Sequence, residues 1–220
     1  MADDEREYDT RGTERVTLFS DAVVAIAITL LAIDLPIPTG DTAAALWSSA
    51  RQQDGHYAAF LISFAVIAAA WSAHHDAFRY VSRVDGRLRQ LNLIWLFAVV
   101  LLPFATRLLT SPGHPSLGAH ALRFGFYSLL EALESLALLA LLRRMTAGNL
   151  APDAPDRTLA SLSRQSISMT VGFGLSIPVF FVTTYGWLVW FAPVVAHRLA
   201  RLLARPSGPL DGRAGDQPPD

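Results

Sequence analysis

The residues best suited to do chemistry in this 220-residue chain stand at the start of its first long apolar run. Arg15, Phe19, Ser20 and Asp21 lie there, and the sequence then stays largely apolar to Leu35. A carboxylate about one turn inside a membrane helix is unfavourable unless it is paired or faces water, so Asp21 marks a functional or a strongly structural position. A helix cap, or a side chain that reaches back to the membrane surface, is the competing interpretation.

Partners for this carboxylate are available at the end of the second apolar run. If the first two runs are antiparallel helices, Trp71, His74 and His75 lie at the same depth as Ser20 and Asp21. The two histidines also suggest a metal site. Adjacent residues point to different helix faces, however, and no third ligand follows at a useful spacing, so we expect no bound metal.

The composition indicates that these residues belong to a membrane protein. The chain is 52% hydrophobic and 17% charged, whereas a soluble domain is about 45–50% apolar and about 25% charged. Six helices of about 20 residues each would use about 120 positions and cross a bilayer six times. The absence of cysteine excludes disulfides and thiolate sites. A net charge of -1 gives no indication of a nucleic-acid partner.

We therefore predict an all-α integral membrane protein whose six spans make up a domain over residues 15–204. The first span ends at Pro36, and the long apolar region near the C-terminus is divided at Thr183 to Gly186. The polar tails, residues 1–14 and 205–220, are predicted to be disordered. The six predicted spans cover about residues 18–35, 57–73, 91–109, 121–142, 165–182 and 185–203.

Arginine distribution predicts the orientation, because basic residues are retained on the cytoplasmic side of a membrane. Fifteen of the 18 basic residues fall in the N-terminal tail, after spans 2 and 4, and after span 6, and all 18 are arginine. The opposite loops hold only Arg51, Arg107 and Arg123. This asymmetry requires an even number of spans and places both termini in the cytoplasm of a multi-pass cell-membrane protein.

The first span carries an aliphatic stripe. At about 100° per residue, Ile26, Leu30 and Ile33 share one narrow face, and Asp21 is offset from Ile26 by about 140°. Such a stripe is typical of a helix that faces lipid or packs against a neighbour. The small residues Ala22, Ala25 and Thr29 favour a span buried in a bundle, since they permit close approach of other helices.

Three motifs together resemble the transmembrane protein 175 family of potassium channels. The first is the string from Arg15 through Phe19-Ser20-Asp21, followed by AVVAIAITLL and Leu35-Pro36-Ile37-Pro38. The others are Trp71-x2-His74-His75 at the end of span 2, and Leu91-Asn92-Leu93 with Leu102-Pro103-Phe104 in span 3. The first motif is long and specific, and the resemblance covers about the first half of the chain.

The resemblance implies a homotetramer of six-span subunits that surrounds a potassium pore lined by span 1. In the family, an isoleucine five residues after the motif aspartate forms the constriction, and that residue is Ile26 here, with Leu30 and Ile33 further along the same face. An aliphatic ring cannot replace the water shell of an ion, so selectivity for potassium over sodium is expected to be modest. The motif implies a network that holds the pore helix, made of Arg15, Phe19, Ser20, Asp21, Trp71, His74 and His75.

Three further carboxylates have open roles. Asp34, near the outer end of span 1, either surrounds the external mouth and concentrates cations or is a solvated helix end. Glu131 and Glu134 share one face of span 4. They form a proton relay, or they face other subunits and pair with Arg123 or Arg107; this structural role is the one we favour.

The expected function is a potassium channel that uses no cofactor and has potassium ions and membrane lipid as its partners. The alternative is a proton-coupled secondary transporter built on an Asp21 and His74 pair. That class requires inverted repeats or broken helices, and the two halves of the chain show no convincing relation. An enzyme is not expected, because Gly-x-Ser-x-Gly, His-Glu-x-x-His and paired intramembrane aspartates are lacking.

Overall fold

The computed structural model describes residues 2–113 and 116–191, with side chains from Arg11 onward. This part of the chain is all-α: it contains six α-helices, and a six-residue 3-10 segment, Gly186–Phe191, follows the last of them. The helices are α1 (Ala2–Ile33), α2 (Ala43–Arg51), α3 (Asp54–Phe78), α4 (Gly86–Leu109), α5 (Leu117–Ala147) and α6 (Asp156–Phe180).

Four of these helices are long and apolar enough to cross a membrane. They are α3, α4, α5 and the Arg11–Ile33 part of α1. At about 1.5 Å per residue, each exceeds the hydrocarbon thickness of about 30 Å or comes close to it. The described residues therefore show a multi-pass membrane protein. They do not include residues 192–203, where most of the sixth predicted span lies.

Local capping explains several helix ends. The side chains of Thr42, Asp85 and Ser116 accept hydrogen bonds from backbone N–H groups at the starts of α2, α4 and α5, at 3.2, 2.7 and 3.3 Å. Each satisfies a donor that the first turn of a helix leaves unpaired. Helix α1 ends shortly before Pro36, because the residue before a proline is disfavoured in helical geometry.

Several helices differ in extent from the segments predicted from the sequence. Helix α1 begins at Ala2, so residues 2–14, predicted to be disordered, are helical here. The reason is that adding one residue to an existing helix costs much less free energy than forming the first turn of a new helix. Helix α2 lies in the loop predicted between spans 1 and 2. Helix α6 begins at Asp156, nine residues before the predicted start of span 5. The predicted tail 205–220 lies outside the described residues.

Helices α4 and α5 form the centre of the subunit. Helix α5 packs against α4 on one side and α6 on the other, and α1 packs against α4 and α3. Trp95 of α4, with Tyr127 and Leu141 of α5, is fully buried in this core. This arrangement places α1 at the edge of the subunit.

Contacts near the helix ends show which segments lie at the same end of the bundle. At one end the Ser82 N–H donates to the Leu150 carbonyl at 2.9 Å, and Arg144 pairs with Asp85. At the other end the Tyr57 hydroxyl donates to the Pro36 carbonyl at 2.8 Å. The arginine-rich segments after α3 and α5 therefore meet at the same end, which agrees with the alternation read from the sequence.

Candidate functional site

Helix α1 has two distinct faces. A narrow stripe of residues at helical spacing is buried against α3 and α4, and it contains Thr13, Ser20, Val24, Ala27 and Leu31. Residues beside this stripe, such as Val23 and Ile28, are partly buried, and the side of the helix opposite to it is exposed in the described part of the subunit. A membrane helix packed along only one stripe leaves most of its surface for lipid or for other protein chains.

The three aliphatic residues singled out from the sequence lie together on the uncovered face. Ile26 is 59% exposed, Leu30 is 41% exposed and Ile33 is 74% exposed. They succeed one another by four and three residues, which aligns them along the helix axis. Between them the Thr29 hydroxyl donates to the Ile26 carbonyl at 2.8 Å, so this polar group is satisfied within the helix. The result is a continuous apolar ridge.

Asp21 lies away from this ridge and is held by α3. The Trp71 indole Nε1 donates to Asp21 Oδ1 at 2.8 Å, and His75 Nδ1 lies 3.8 Å from Asp21 Oδ2. The rings of Trp71 and His75 lie 5.4 Å apart. The structure thus brings together the two motifs that the sequence placed at one depth, and the carboxylate faces a neighbouring helix.

His74 has a different partner from the one expected in the transporter alternative. Its Nε2 lies 2.7 Å from Asn92 Oδ1, and Asn92 Nδ2 donates to the Ser20 hydroxyl at 2.9 Å. Because an amide oxygen only accepts, Nε2 of His74 carries the proton in this pair. The direct Asp21 and His74 pair is not formed; Asp21 interacts with His75 instead.

This Ser20–Asn92–His74 chain is fully buried and joins three helices. The His74 ring stacks between Phe78 and Trp95, with ring centroids 4.1 Å from each. The Asn92 amide is paired at both its oxygen and its nitrogen, whereas Nδ1 of His74 is buried without a hydrogen-bond partner among the described residues. Because the contacts of Asn92 form in only one relative arrangement of α1, α3 and α4, they favour a single register of the three helices. Asn92 was read only as part of a motif; a polar amide within the apolar run of span 3 was the signal that it has a structural role.

The other two motif residues lie outside this network. Arg15 is exposed and makes no hydrogen bond or ion pair with a residue that the structure describes. Phe19 is also exposed, on the uncovered side of α1. Both residues therefore present their side chains to surroundings outside the described subunit.

The buried carboxylates of α5 are not paired with arginine. The Trp95 indole donates to Glu134, and the Ser135 hydroxyl donates to the same carboxylate at 3.3 Å. The expected pairing with Arg107 or Arg123 is not formed within the subunit, because both arginines have other partners. Arg107 lies 3.3 Å from Asp34, and Arg123 donates to the Ser111 carbonyl at 2.8 Å. Both glutamates are buried within a single subunit.

Asp34 and Arg107 form an exposed ion pair where α1 and α4 end. An exposed pair contributes little to stability, about 0–1 kcal/mol, but it leaves the Asp34 carboxylate at the surface. Among the described residues, no group of three or more histidine, aspartate and glutamate side chains is arranged to hold a metal ion.

Comparison with known proteins gives matches along most of the chain. The family described as "Endosomal/lysosomal potassium channel TMEM175" matches residues 15–103. A protein of Streptomyces collinus named as a potassium channel is 36% identical over 171 residues, which cover 77% of this chain and 82% of that protein. A potassium channel of a Chryseobacterium species is 35% identical over 92 residues, or 42% of this chain and 46% of that protein.

A solved structure has the same arrangement of helices. It is the crystal structure described as a lysosomal potassium-selective channel TMEM175 homolog from Chamaesiphon minutus. It superposes with a TM-score of 0.69 at 26% sequence identity, and the match covers 86% of this chain and 97% of that chain.

Proposed function

The chain belongs to the TMEM175 family of potassium channels, and we propose that it conducts potassium through a pore lined by the ridge of Ile26, Leu30 and Ile33 on α1. The observation that carries this proposal is the exposure of all three residues on a helix whose opposite face is buried in the subunit. A large apolar face that its own subunit leaves uncovered marks an interaction or a pore-lining surface.

One copy of α1 offers only one wall, so the pore requires several subunits. We propose a homotetramer in which four copies of α1 meet around a common axis, as the motif resemblance implied. In a closed ring each copy presents the same residues to the axis. The 26% identical channel from Chamaesiphon minutus supports the use of the same subunit fold.

Ile26 is assigned to the narrowest point. A ring of isoleucine side chains offers no oxygen to replace the hydration water of an ion, so it acts as a hydrophobic constriction that opens and closes by wetting and dewetting. Potassium holds its hydration water less tightly than sodium and passes more easily. Discrimination through partial dehydration alone is modest.

The polar contacts behind α1 would hold the ridge in place. The Ser20–Asn92–His74 chain and the contacts of Asp21 with Trp71 and His75 tie the inner half of α1 to α3 and α4. These residues are positioning residues and make no contact with the ion path. The functional role of a channel accounts for the whole site without catalytic chemistry.

For the membrane topology we propose six spans, with both termini in the cytoplasm of the cell. The support comes from the arginine distribution and from the contact that places the segments after α3 and α5 at one end. In this orientation Asp34 and Arg107 lie at the external mouth, where the carboxylate would attract cations before they enter.

The test replaces Ile26 by asparagine and records single channels in planar bilayers under a potassium and sodium gradient. Because a polar ring stays wet, Ile26→Asn is expected to raise conductance and reduce the preference for potassium. Ile37→Asn, the same change beyond the end of α1, is the control and should behave as the unmodified protein. Unchanged selectivity in an Ile26→Asn protein that still assembles as a tetramer would contradict the assignment.

A further inference from the structure

A cavity of about 400 Å³ lies between α3, α5 and α6, and it is open to the surroundings where exposed residues such as Leu61 line it. Helix α3 lines it with a row of small apolar residues that includes Ala65, Ala69 and Ala73, and Phe173 and Trp190 add two aromatic faces. The volume falls within the range of about 300–1,000 Å³ that is typical of small-molecule sites.

The polar groups of the cavity come from α5 and α6. Glu131, Glu134 and Ser135 of α5 line it, and so do Gln165 and Ser166 of α6. Glu131 is only 1% exposed and interacts with the Tyr127 hydroxyl, but its Oε1 atom is buried without a hydrogen-bond partner among the described residues. The Glu134 carboxylate already accepts hydrogen bonds from Trp95 and Ser135. Glu131 is therefore the carboxylate with unused capacity to bind a donor.

The cavity also lacks positive charge. Among the described residues, no arginine or histidine lines it. The arginines of α6, Arg157 and Arg164, are not among its lining residues, and neither are the histidines of α3. Two neighbouring buried carboxylates are strongly unfavourable without a compensating proton or cation. A cationic group bound beside Glu131 would provide this compensation in place of a proton.

We propose that this cavity binds a lipophilic ammonium ion, that is, a compact apolar molecule with one protonated amine. The ammonium group donates to Glu131 Oε1, and the apolar body packs against the alanine row. Phe173 and Trp190 add attraction between a cation and aromatic rings. A bare alkali ion would leave the apolar wall unfilled, and a neutral apolar molecule would leave Oε1 unpaired.

This site is separate from the proposed pore, since none of its lining residues belongs to α1. An occupant would lie between α3 and α6, two helices that otherwise share few contacts within the subunit. Binding there is therefore expected to stabilise one relative position of these helices. The proposal does not depend on which residues line the ion path.

The experiment measures binding of 1-adamantylamine to the purified full-length protein in lipid nanodiscs by isothermal titration calorimetry. The probe for comparison is 1-adamantanol, which has the same cage and no charge. We expect saturable binding of the amine and an affinity for the alcohol that is weaker by about tenfold or more. Glu131→Gln should weaken the binding of the amine by about tenfold and leave the affinity for the alcohol unchanged.

A second pair of variants tests the location without changing charge. Ala69→Phe fills the cavity and should abolish amine binding, whereas Ala68→Phe, one residue away and not part of the lining, should preserve it. If Glu131→Gln does not fold, the two alanine variants still test whether the amine binds in this cavity. Equal affinities for amine and alcohol, or normal amine binding in Ala69→Phe, would overturn the proposal. So would loss of amine binding in Ile26→Asn, because the amine would then lie in the pore.

Discussion

Helices α1 and α5 are both long and apolar enough to cross a membrane, yet the subunit buries them very differently. In the most apolar stretch of each, 22% of the residues of α1 are buried, against 67% of those of α5. Hydropathy measures only the tendency to leave water and is satisfied equally by lipid, by a neighbouring helix or by a second subunit. The buried fraction distinguishes a helix packed within its own subunit from one that faces lipid or another subunit. Helix α5 is packed within the subunit, whereas most of α1 is exposed on its surface.

The two helices are also held by different kinds of contact. Helix α5 is fixed by close packing of residues such as Tyr127 and Leu141 between α4 and α6. Helix α1 is held by a narrow apolar stripe and by hydrogen bonds that involve Ser20 and Asp21. The comparison predicts that truncating buried side chains of α5 lowers the stability most. For α1, removing hydrogen-bond partners should lower the stability more than truncating its apolar side chains.

The largest expected effect is at Leu141 of α5, which is fully buried. Leu141→Ala leaves a cavity in the core and should lower the free energy of unfolding by about 2–5 kcal/mol. Leu136→Ala, on the exposed side of the same helix, is the matched control and should change it by about 0.5 kcal/mol or less. Equilibrium unfolding in mixed micelles measures both.

The same measurement on Leu30→Ala tests the comparison between the helices. Leu30 lies on the uncovered face of α1, so the stability of a dissociated subunit should change much less than in Leu141→Ala. An equal loss in the two variants would show that α1 is as deeply packed as α5.

An intermediate effect is expected in the polar chain behind α1. His74→Phe keeps the stacking on Phe78 and Trp95 but leaves Asn92 Oδ1 without its donor, which should cost about 1–3 kcal/mol. Asn92→Leu should cost a similar amount. The double variant should be little worse than either, because both substitutions remove one shared contact.

The control for this cycle combines His74→Phe with Asp21→Asn. The two residues have separate hydrogen-bond partners, Asn92 and Trp71, so their effects on the free energy of unfolding should add to within about 0.5 kcal/mol. Strong coupling between Asp21 and His74, together with additivity of His74 and Asn92, would favour the pairing that the transporter alternative requires.

The smallest effect concerns the ion pair that ties the C-terminal end of α5 to the loop before α4. The hydrogen bond from Arg144, helped by the Leu88 N–H, holds the pKa of the Asp85 carboxyl below its ordinary value of 3.8. A carboxyl with a lowered pKa in the folded state stabilises the protein fully above its ordinary pKa. That contribution disappears as the pH falls through the folded-state value.

For this partly exposed pair we expect about 0.2–1 kcal/mol, present in full above about pH 5 and lost as the pH falls below 3.8 and through the folded-state pKa. Arg144→Gln should remove most of this pH-dependent difference, whereas Arg143→Gln, at the exposed neighbouring position, should not. Measuring the free energy of unfolding of the unmodified protein and of both variants across this pH range tests the prediction. A pH dependence that is identical in the two variants would show that the pair is without effect.

Much of the secondary structure could be predicted from the sequence. The four long apolar helices and the turn near Thr183 follow from hydropathy and from breakers such as Pro36, both of which act locally. Helix α2 was missed although Thr42 and the alanines after it were present, because a short capped helix has no long apolar pattern. The early start of α6 was missed because its first turns are polar.

The candidate site could be predicted only in part. Motif spacing placed Asp21 beside Trp71 and His75, since antiparallel neighbours of similar length meet at a known depth. It did not distinguish His74 from His75. Adjacent residues on a helix point about 100° apart, and only the rotation of α3 against α1 and α4 decides which of the two faces the core.

The sequence by itself determined that the chain is helical, that it spans a membrane, and which residues form the aliphatic stripe of α1, because periodicity and side-chain chemistry are local properties. Only the tertiary structure decided that this stripe is uncovered, that His74 bonds Asn92, and that Glu131 is left with a buried oxygen beside a cavity. These features depend on how distant segments are rotated and spaced when they pack. No local pattern in the chain encodes that rotation directly.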